Sequence, residues 1–166
     1  MDAKAKLAQI LIASSWQQRA ADRPPPKPWW WADTRAIAKL EIPRLEKTVF
    51  VMQDASGESL AFGPGHMQGS AAPAQSGHVM VAGHRDSHFE FLKDIEIGDV
   101  IETTDYKSSH KRYRVVETLV IDSNQESVEL ASSNFLTLVT CYPFNGIAPN
   151  TSLRYLVNAQ ELTQPR

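Results

Sequence analysis

Cysteine is nearly absent from this chain, which has a single one, Cys141, among 166 residues. One thiol cannot close a disulfide within the chain, and it cannot build the usual zinc site with several cysteines. A lone cysteine is most often a small buried apolar residue, so a chemical role for Cys141 has to be argued from its surroundings.

Long apolar runs and a surplus of basic charge are also missing. No stretch reaches the roughly 18 apolar residues of a membrane-spanning helix, and residues 7–15 lack a signal-cleavage pattern. The formal net charge is -2, so no general positive field attracts nucleic acid, which we exclude as a partner. Hydrophobic residues make up 42% and charged residues 22%, which is typical of a soluble globular domain.

The first segment is rich in helix-forming residues over positions 3–19. Four apolar side chains recur there at helical spacing: Leu7, Ile10, Leu11 and Trp16. This period predicts an α-helix with one apolar stripe facing the rest of the protein. The prolines between positions 24 and 28 end the helix, because proline lacks the amide donor and restricts the residue before it.

Three consecutive tryptophans occupy positions 29–31. We predict that they pin the helix and the linker onto the following domain, in preference to forming a ligand-stacking platform. From residue 34 onward the pattern changes to short apolar runs. We therefore divide the chain into residues 1–33, a helix and Pro/Trp-rich linker packed on the domain, and residues 34–166, the domain itself.

The pattern beyond residue 34 is that of a β protein, with β-branched and aromatic runs between turn residues. Seven strands are predicted, at 37–42, 48–53, 79–83, 100–104, 113–121, 136–141 and 153–158. One or two helical turns are expected at 89–93, and residues 63–77 are predicted to form a long surface loop. Short strands without regular intervening helices predict a mainly β fold, a closed β-barrel with an N-terminal helix and short connecting helices.

Three side chains near predicted strands have the chemistry of a nucleophilic site. Cys141 ends a β-rich run, and Pro143 stops the strand, so the thiol can face a cleft. A thiol becomes a nucleophile when a base or a cation stabilises its thiolate. His84 follows another predicted strand, and histidine titrates near neutral pH. Arg154 can donate hydrogen bonds to a carbonyl or a developing oxyanion.

Other polar residues give weaker candidates. We predict a structural role for His78 and solvated positions in loops for His66 and His110. No serine has the G-x-S-x-G context of a serine hydrolase. We predict no metal site, because the acidic residues of the predicted loops are scattered without ligand spacing: Glu58, Asp94, Glu96 and Asp99.

Together these residues resemble the sortase family. The matching motifs are TLVTC at 137–141, GHRD at 83–86 and LRY at 153–155, in the family's order of His, Cys and Arg. The resemblance covers residues 34–158, and it implies that residues 34–166 form a sortase catalytic β-barrel. Two further stretches look closest to the sortases of Gram-negative proteobacteria: residues 77–89 and 142–144.

The resemblance implies a cysteine transpeptidase with endopeptidase chemistry. Cys141 would attack the carbonyl between Thr and Gly in an LPXTG-like sorting signal to give a thioester, which an amine acceptor would resolve. His84 would protonate the leaving amine and deprotonate the incoming one, and Arg154 would stabilise the tetrahedral intermediate. Contacts with substrate are expected from four neighbouring residues: Thr140, Tyr142, Pro143 and His88.

The same resemblance implies no cofactor, and it implies two partners: a protein with a C-terminal sorting signal and an amine acceptor. Members carry an N-terminal membrane anchor that holds the barrel on the extracytoplasmic, periplasmic side. Since no such run is present here, we expect Met1 to replace a removed anchor segment.

Two alternatives stay open: a cysteine hydrolase of the same fold that uses water, and a non-catalytic peptide-binding module. The chain order counts against a papain-like protease, in which Cys usually precedes His.

Overall fold

The computed structural model describes residues 3–163. The chain begins with helix α1 (Ala3–Gln17), and a second short helix, α2, spans Gly57–Leu60. Short 3₁₀ segments occur at Pro43–Leu45 and at Glu90–Asp94. The second confirms the helical turns predicted at residues 89–93. Among residues 3–163, no helix combines the length and the apolar character needed to cross a bilayer.

Within residues 3–163, eight strands make up the rest of the regular structure: β1 (Ala36–Ile42), β2 (Lys47–Met52), β3 (Gly65–His66), β4 (His78–Ala82), β5 (Val100–Asp105), β6 (His110–Asp122), β7 (Phe135–Cys141) and β8 (Leu153–Glu161). They form a closed barrel in the order β1-β2-β3-β4-β7-β8-β6-β5, and β1 pairs with β5 to complete the ring. The pairs β2–β3 and β4–β7 are parallel, and the other pairs are antiparallel. The predicted mainly β, closed-barrel fold is confirmed.

All seven predicted strands are present, with small shifts at their ends. The eighth, β3, lies inside the stretch 63–77 that the sequence predicted to be a surface loop, and Pro64 is buried beside it. His66 was predicted to be solvated, but it is half-buried, and its Nε2 lies 2.9 Å from the carbonyl oxygen of Ala71. This stretch therefore closes the barrel between β2 and β4 as well as covering it.

The barrel interior follows the two-residue period of its strands. In β1 the buried side chains are Ala36, Ala38, Leu40 and Ile42, and the residues between them are half-buried. The centre of the core is completed by side chains from β4, β7, β8 and the segment after β4, including Val81, Phe89, Leu136, Leu138 and Val157. Each large side chain buried in this way contributes about 1.5–3 kcal/mol to folding.

Helix α1 packs on the barrel through a second apolar cluster. Its Ile12 and Trp16 are buried together with Ala36 and Met52. The side chain of Gln9 also donates a hydrogen bond to the backbone carbonyl of Phe62. The first helix is thus attached to β1, β2 and the α2 region by both apolar and polar contacts.

The buried face of α1 differs from the predicted stripe. Leu7 and Ile10 are 57% and 64% exposed, whereas Ala8 is buried beside Ile12. Helix α1 carries apolar side chains on several of its sides, so their spacing alone does not predict which side is buried against the barrel. The small side chain of Ala8 lets the helix approach the barrel closely, which explains why the structure buries this side.

The three tryptophans also behave differently from one another. Trp29 packs edge-on against Phe62, with ring centroids 4.9 Å apart. Trp30 and Trp31 are 87% and 63% exposed. The prediction that all three pin the linker is therefore correct only for Trp29.

Candidate active site

Two neighbouring parallel strands bring His84 and Cys141 to the same end of the barrel. In the β4–β7 ladder, Ala82 lies opposite Val139. His84 is two residues beyond Ala82, and Cys141 is two residues beyond Val139. Because parallel strands end at the same edge of a sheet, two segments far apart in sequence become neighbours here.

Cys141 and Arg154 are cross-strand partners. They lie opposite each other in the antiparallel β7–β8 ladder, and Cys141 is a free, half-buried cysteine. Both line a cleft of about 360 Å³. The other lining residues belong to the segment after β6 and to the loop before β8: Ser123, Asn124, Pro149, Asn150, Thr151 and Ser152. His84 is exposed and is not among the residues that line this cleft in the described chain.

The guanidinium of Arg154 is held by the backbone just before and at the start of β8. Its Nη1 donates to the carbonyl oxygens of Thr151 at 2.6 Å and Leu153 at 2.9 Å. These bonds involve one of the three guanidinium nitrogens. The side chain thus keeps a permanent positive charge on the wall that contains the thiol.

The segment that carries His84 is a compact turn of residues 83–89, here called the histidine turn. The amide of Gly83 donates to Val139 O at 3.0 Å, and the amide of Phe89 donates to His84 O at 3.0 Å. A Cβ at Gly83 would lie 2.7 Å from the buried ring of Phe89, so the turn needs glycine at this position. The backbone of His84 is therefore fixed against the core.

Thr140 fastens the histidine turn to β7. Its hydroxyl donates to the carbonyl oxygen of Gly83 at 2.7 Å, and its side chain is buried. The sequence predicted that Thr140 contacts substrate. That contact stays a prediction; here strand alternation turns the side chain of Thr140 inward, while Cys141 faces the cleft side.

His88 also occupies a different place from the predicted one. It is buried and borders a separate cleft of about 340 Å³ between α1, the start of β2 and the Glu90–Asp94 segment. Burial lowers the pKa of His88, a hydrogen bond with the backbone of Ala61 opposes this, and the electrostatic effect of nearby His84 adds to the lowering. Within the described chain, His88 therefore does not offer a contact in the cleft of Cys141.

Three aromatic side chains pack together just beyond the end of β7 and on β8: Tyr142, Phe144 and Tyr155. Tyr142 stacks on Tyr155 with ring centroids 6.2 Å apart, and Phe144 packs edge-on against Tyr155 at 5.1 Å. Tyr142, Pro143 and Phe144 are all half-buried. Phe144 and Tyr155 pack against the barrel core, and no aromatic side chain is among the described residues that line the cleft of Cys141. The contacts of Tyr142 and Pro143 with substrate therefore stay a prediction.

His78 has a structural position, as predicted. Its Nε2 is 2.7 Å from the hydroxyl of Thr137, and its Nδ1 accepts a hydrogen bond from the amide of Ala131 at 2.8 Å. Burial lowers the pKa of His78. Across residues 3–163, no three or more His, Cys, Asp or Glu side chains gather in a metal-binding arrangement.

Comparison with known proteins identifies the family. A family model described as a Sortase domain matches residues 40–162, most of the chain. The chain therefore belongs to the sortase family, whose members are cysteine transpeptidases.

Relatives of known name agree with this assignment. Sortase D of Bacillus subtilis (strain 168) is 28% identical over 126 residues, which cover 75% of this chain and 63% of the relative's length. The structure of sortase C1 from Streptococcus suis superposes with a TM-score of 0.67 at 24% identity, covering 78% of this chain and 74% of that one. A Clostridium perfringens sortase D5 transpeptidase gives a TM-score of 0.72 at 18% identity, covering 98% and 100%. These relatives do not support the predicted likeness to proteobacterial sortases.

Proposed function

We propose that this protein is a sortase transpeptidase that cleaves an LPXTG-like signal between Thr and Gly and transfers the new carboxyl end to an amine. The observation that carries the proposal is the shared end of β4 and β7. There His84 and Cys141 leave adjacent parallel strands, and Arg154 lies opposite Cys141 in the next strand. A nucleophile, a general acid–base group and a fixed cation are thus available at one edge of the barrel.

In the first proposed step, the thiolate sulfur of Cys141 attacks the threonine carbonyl carbon. The carbon–nitrogen bond to glycine then breaks, and His84 gives a proton to the leaving amine. The product is a thioester between Cys141 and the substrate. Since His84 is not among the described residues that line the thiol's cleft, this step requires its ring to approach the cleft.

In the second proposed step, an amine attacks the thioester carbonyl carbon. His84 accepts the proton that the amine loses, a new amide bond forms, and the sulfur of Cys141 leaves as the thiolate. Arg154 stabilises the negative oxygen of both tetrahedral intermediates, because its charge does not depend on pH near neutrality. Tyr142 and Pro143 contribute apolar surface for the leucine and proline of the signal.

The wider assignment follows from the same proposal. The partners are a protein with a C-terminal sorting signal and an amine acceptor, and the protein works on the extracytoplasmic side of the cell membrane. Residues 34–166 form the catalytic barrel in this proposal, and residues 1–33 are an attached helix and linker. The contacts of Ile12 and Trp16 with the barrel support that division.

Intact-mass analysis tests the proposal. The protein and its Cys141→Ala variant are mixed with an LPXTG-type peptide, with and without an added amine. We expect a thioester adduct on the wild type alone, and its conversion to amine-linked peptide when the amine is present.

The other outcomes distinguish the alternatives. Free peptide acid as the main product in the presence of amine would identify a hydrolase that uses water. Equal peptide binding by both forms, without adduct or cleavage across a panel of related signals, would identify a peptide-binding module and refute the proposal.

A further inference from the structure

Arg85 joins the two segments that carry His84 and Cys141. It lies in the histidine turn, and its Nη2 donates to the carbonyl oxygens of Gly146 and Ala148, each at 2.8 Å. Both acceptors belong to the loop of residues 142–152 that follows β7, here called the cysteine loop. A single guanidinium therefore spans the two segments whose separation the proposed reaction depends on.

The contact between Arg85 and the cysteine loop is tightly packed. Nη1 of Arg85 is buried and has no hydrogen-bond partner among residues 3–163. It lies so close to Gly146 that a Cβ at that position would be 3.0 Å away. A side chain at position 146 would therefore push the guanidinium by a few tenths of an ångström without any change to Arg85 itself, and it would also press on Pro143 at 3.1 Å.

Little else ties the middle of the cysteine loop to the barrel. For residues 145–150, the other hydrogen bond within the described chain is local, from the amide of Gly146 to Pro143 O at 3.1 Å. Ile147, between the two carbonyls that Arg85 binds, is 98% exposed, so no apolar contact fixes it. The position of this segment depends on Arg85.

We propose that Arg85 is a positioning residue for acyl transfer, and that it sets the position of the cysteine loop, which forms one wall of the cleft holding Cys141 and Arg154. This inference rests on the proposed function, because it assigns Arg85 to the same reaction. Arginine suits the task because a planar guanidinium presents its donors in a fixed geometry, while a lysine ammonium sits on a flexible stem. The geometry of the donor matters here more than its charge.

The test compares Arg85→Ala, Arg85→Lys and Gly146→Ala with a control, Arg114→Ala, at an exposed position on β6. Two rates are measured: peptide cleavage (kcat and KM), and alkylation of Cys141 by iodoacetamide. We expect Arg85→Ala and Gly146→Ala to lower kcat/KM about 10–100-fold, since small misplacements have effects of that size. Alkylation should stay within about twofold of wild type, because a small reagent does not need the loop wall.

The conservative variant and the control complete the test. Arg85→Lys should recover part of the lost kcat/KM, and Arg114→Ala should match the wild type. Equal kcat/KM for Arg85→Ala and Arg114→Ala would overturn the inference. A parallel loss of alkylation and cleavage would also overturn it, because that result indicates general disruption. If Arg85→Ala does not fold, normal kcat/KM in Gly146→Ala has the same meaning.

Amide hydrogen exchange separates this inference from the proposed function. In residues 144–150 the amide of Gly146 is the one that donates a hydrogen bond within the described chain. We expect Arg85→Ala to speed its exchange about tenfold and to leave β7 unchanged, whether or not the wild type cleaves peptide. Unchanged exchange of this amide would refute the anchoring by Arg85. Faster exchange in a protein whose wild type cleaves nothing would support the anchoring while refuting the transpeptidase.

Discussion

The histidine turn and the cysteine loop follow parallel neighbouring strands, yet they are held in different ways. The turn buries His88 and Phe89 and is bonded to β7 through Gly83. In the cysteine loop every residue from 142 to 152 is at least partly exposed, and side chains supply much of the anchoring. The difference teaches that the backbone carrying the proposed base is fixed to the core although the His84 side chain is exposed, whereas the wall beside the nucleophile can adjust to a peptide.

The largest effect is expected from Gly83→Ala, which breaks the histidine turn. The added methyl group would lie 2.7 Å from the ring of Phe89, so the core must shift. We expect a loss of about 1–3 kcal/mol in the free energy of unfolding, as for other overpacked sites. Urea denaturation measures it, and peptide cleavage should fall with it.

Gly57→Ala provides a matched control for this substitution. A Cβ at Gly57 has nothing within 4 Å. This variant should therefore be as stable as the wild type or slightly more stable, since alanine restricts the unfolded chain. Equal stability of the two glycine variants would contradict the tight packing of the histidine turn.

Thr140→Val should have the next largest effect, because it cuts the bond between β7 and the histidine turn. The variant keeps the shape of the side chain but removes the donor to Gly83 O. We expect a loss of about 1 kcal/mol in stability and a lower kcat for peptide cleavage. Thr140→Ser retains the hydroxyl and should restore most of both. If valine and serine behave alike, the hydrogen bond does not fix the turn.

Thr151→Val tests the second region of this comparison, the cysteine loop. The hydroxyl of Thr151 donates to Tyr142 O at 2.9 Å and accepts from the amide of Leu153 at 3.1 Å. Because the loop is exposed, we expect a stability change within about 0.5 kcal/mol. Cleavage should still slow by about tenfold, since the wall beside Cys141 moves.

Stability and kcat/KM measured together test this prediction. Thr118→Val on β6 is the control, and its hydroxyl has no hydrogen-bond partner among the described residues. Unchanged cleavage in Thr151→Val would show that the cysteine loop does not shape the site.

The smallest effect is expected from pH. Burial lowers the pKa of His88 below its ordinary value of 6.5, so the folded protein favours the neutral ring. The unfolded chain therefore binds a proton at higher pH, and the stability that His88 contributes is present above about pH 6.5 and is lost as the pH falls below it. His78 acts with the same sign.

Thermal unfolding temperatures measured from about pH 5 to about pH 7.5, a window that contains the ordinary histidine pKa, test this dependence. His88→Gln should flatten the dependence, while the exposed His110→Gln should leave it unchanged. After correction for the intrinsic slowing of exchange at lower pH, the protection of amides in the histidine turn should fall on acidification more than that of amides in the cysteine loop. A wild-type slope in His88→Gln would contradict the assignment to His88.

Most of the fold could be predicted from the sequence, because runs of strand-forming residues alternate with turn residues along the domain. Seven strands were predicted, but β3 has only two residues, which are too few to show the alternation of apolar and polar side chains that predicts a strand. The buried face of α1 was predicted wrongly, because the apolar side chains of Leu7 and Ile10 are exposed and Ala8 is buried against the barrel. Short pieces and helices with apolar residues on several sides depend on tertiary packing, which composition does not encode.

The site was partly predictable for a related reason. His84, Cys141 and Arg154 each belong to a motif, and the strand ends explain their common location. The burial of Thr140 and His88 was harder to predict, because it depends on strand alternation in β7 and on how the histidine turn folds back on the core. The link from Arg85 to the cysteine loop joins residues about 60 positions apart, and no local pattern predicts such a contact.

The parallel pairing of β4 with β7 also has a consequence for the timing of folding. Strands β5 and β6 lie between β4 and β7 in the chain. During synthesis, β4 therefore cannot complete its pairing with β7 until residue 141 has been made. Such distant pairing forms slowly, because the entropy of closing the intervening chain opposes it before any contact is gained. The segments that carry Cys141 and His84 therefore become neighbours only when the barrel is nearly complete. Under the proposed mechanism, an unfinished chain thus carries its cysteine without the histidine beside it.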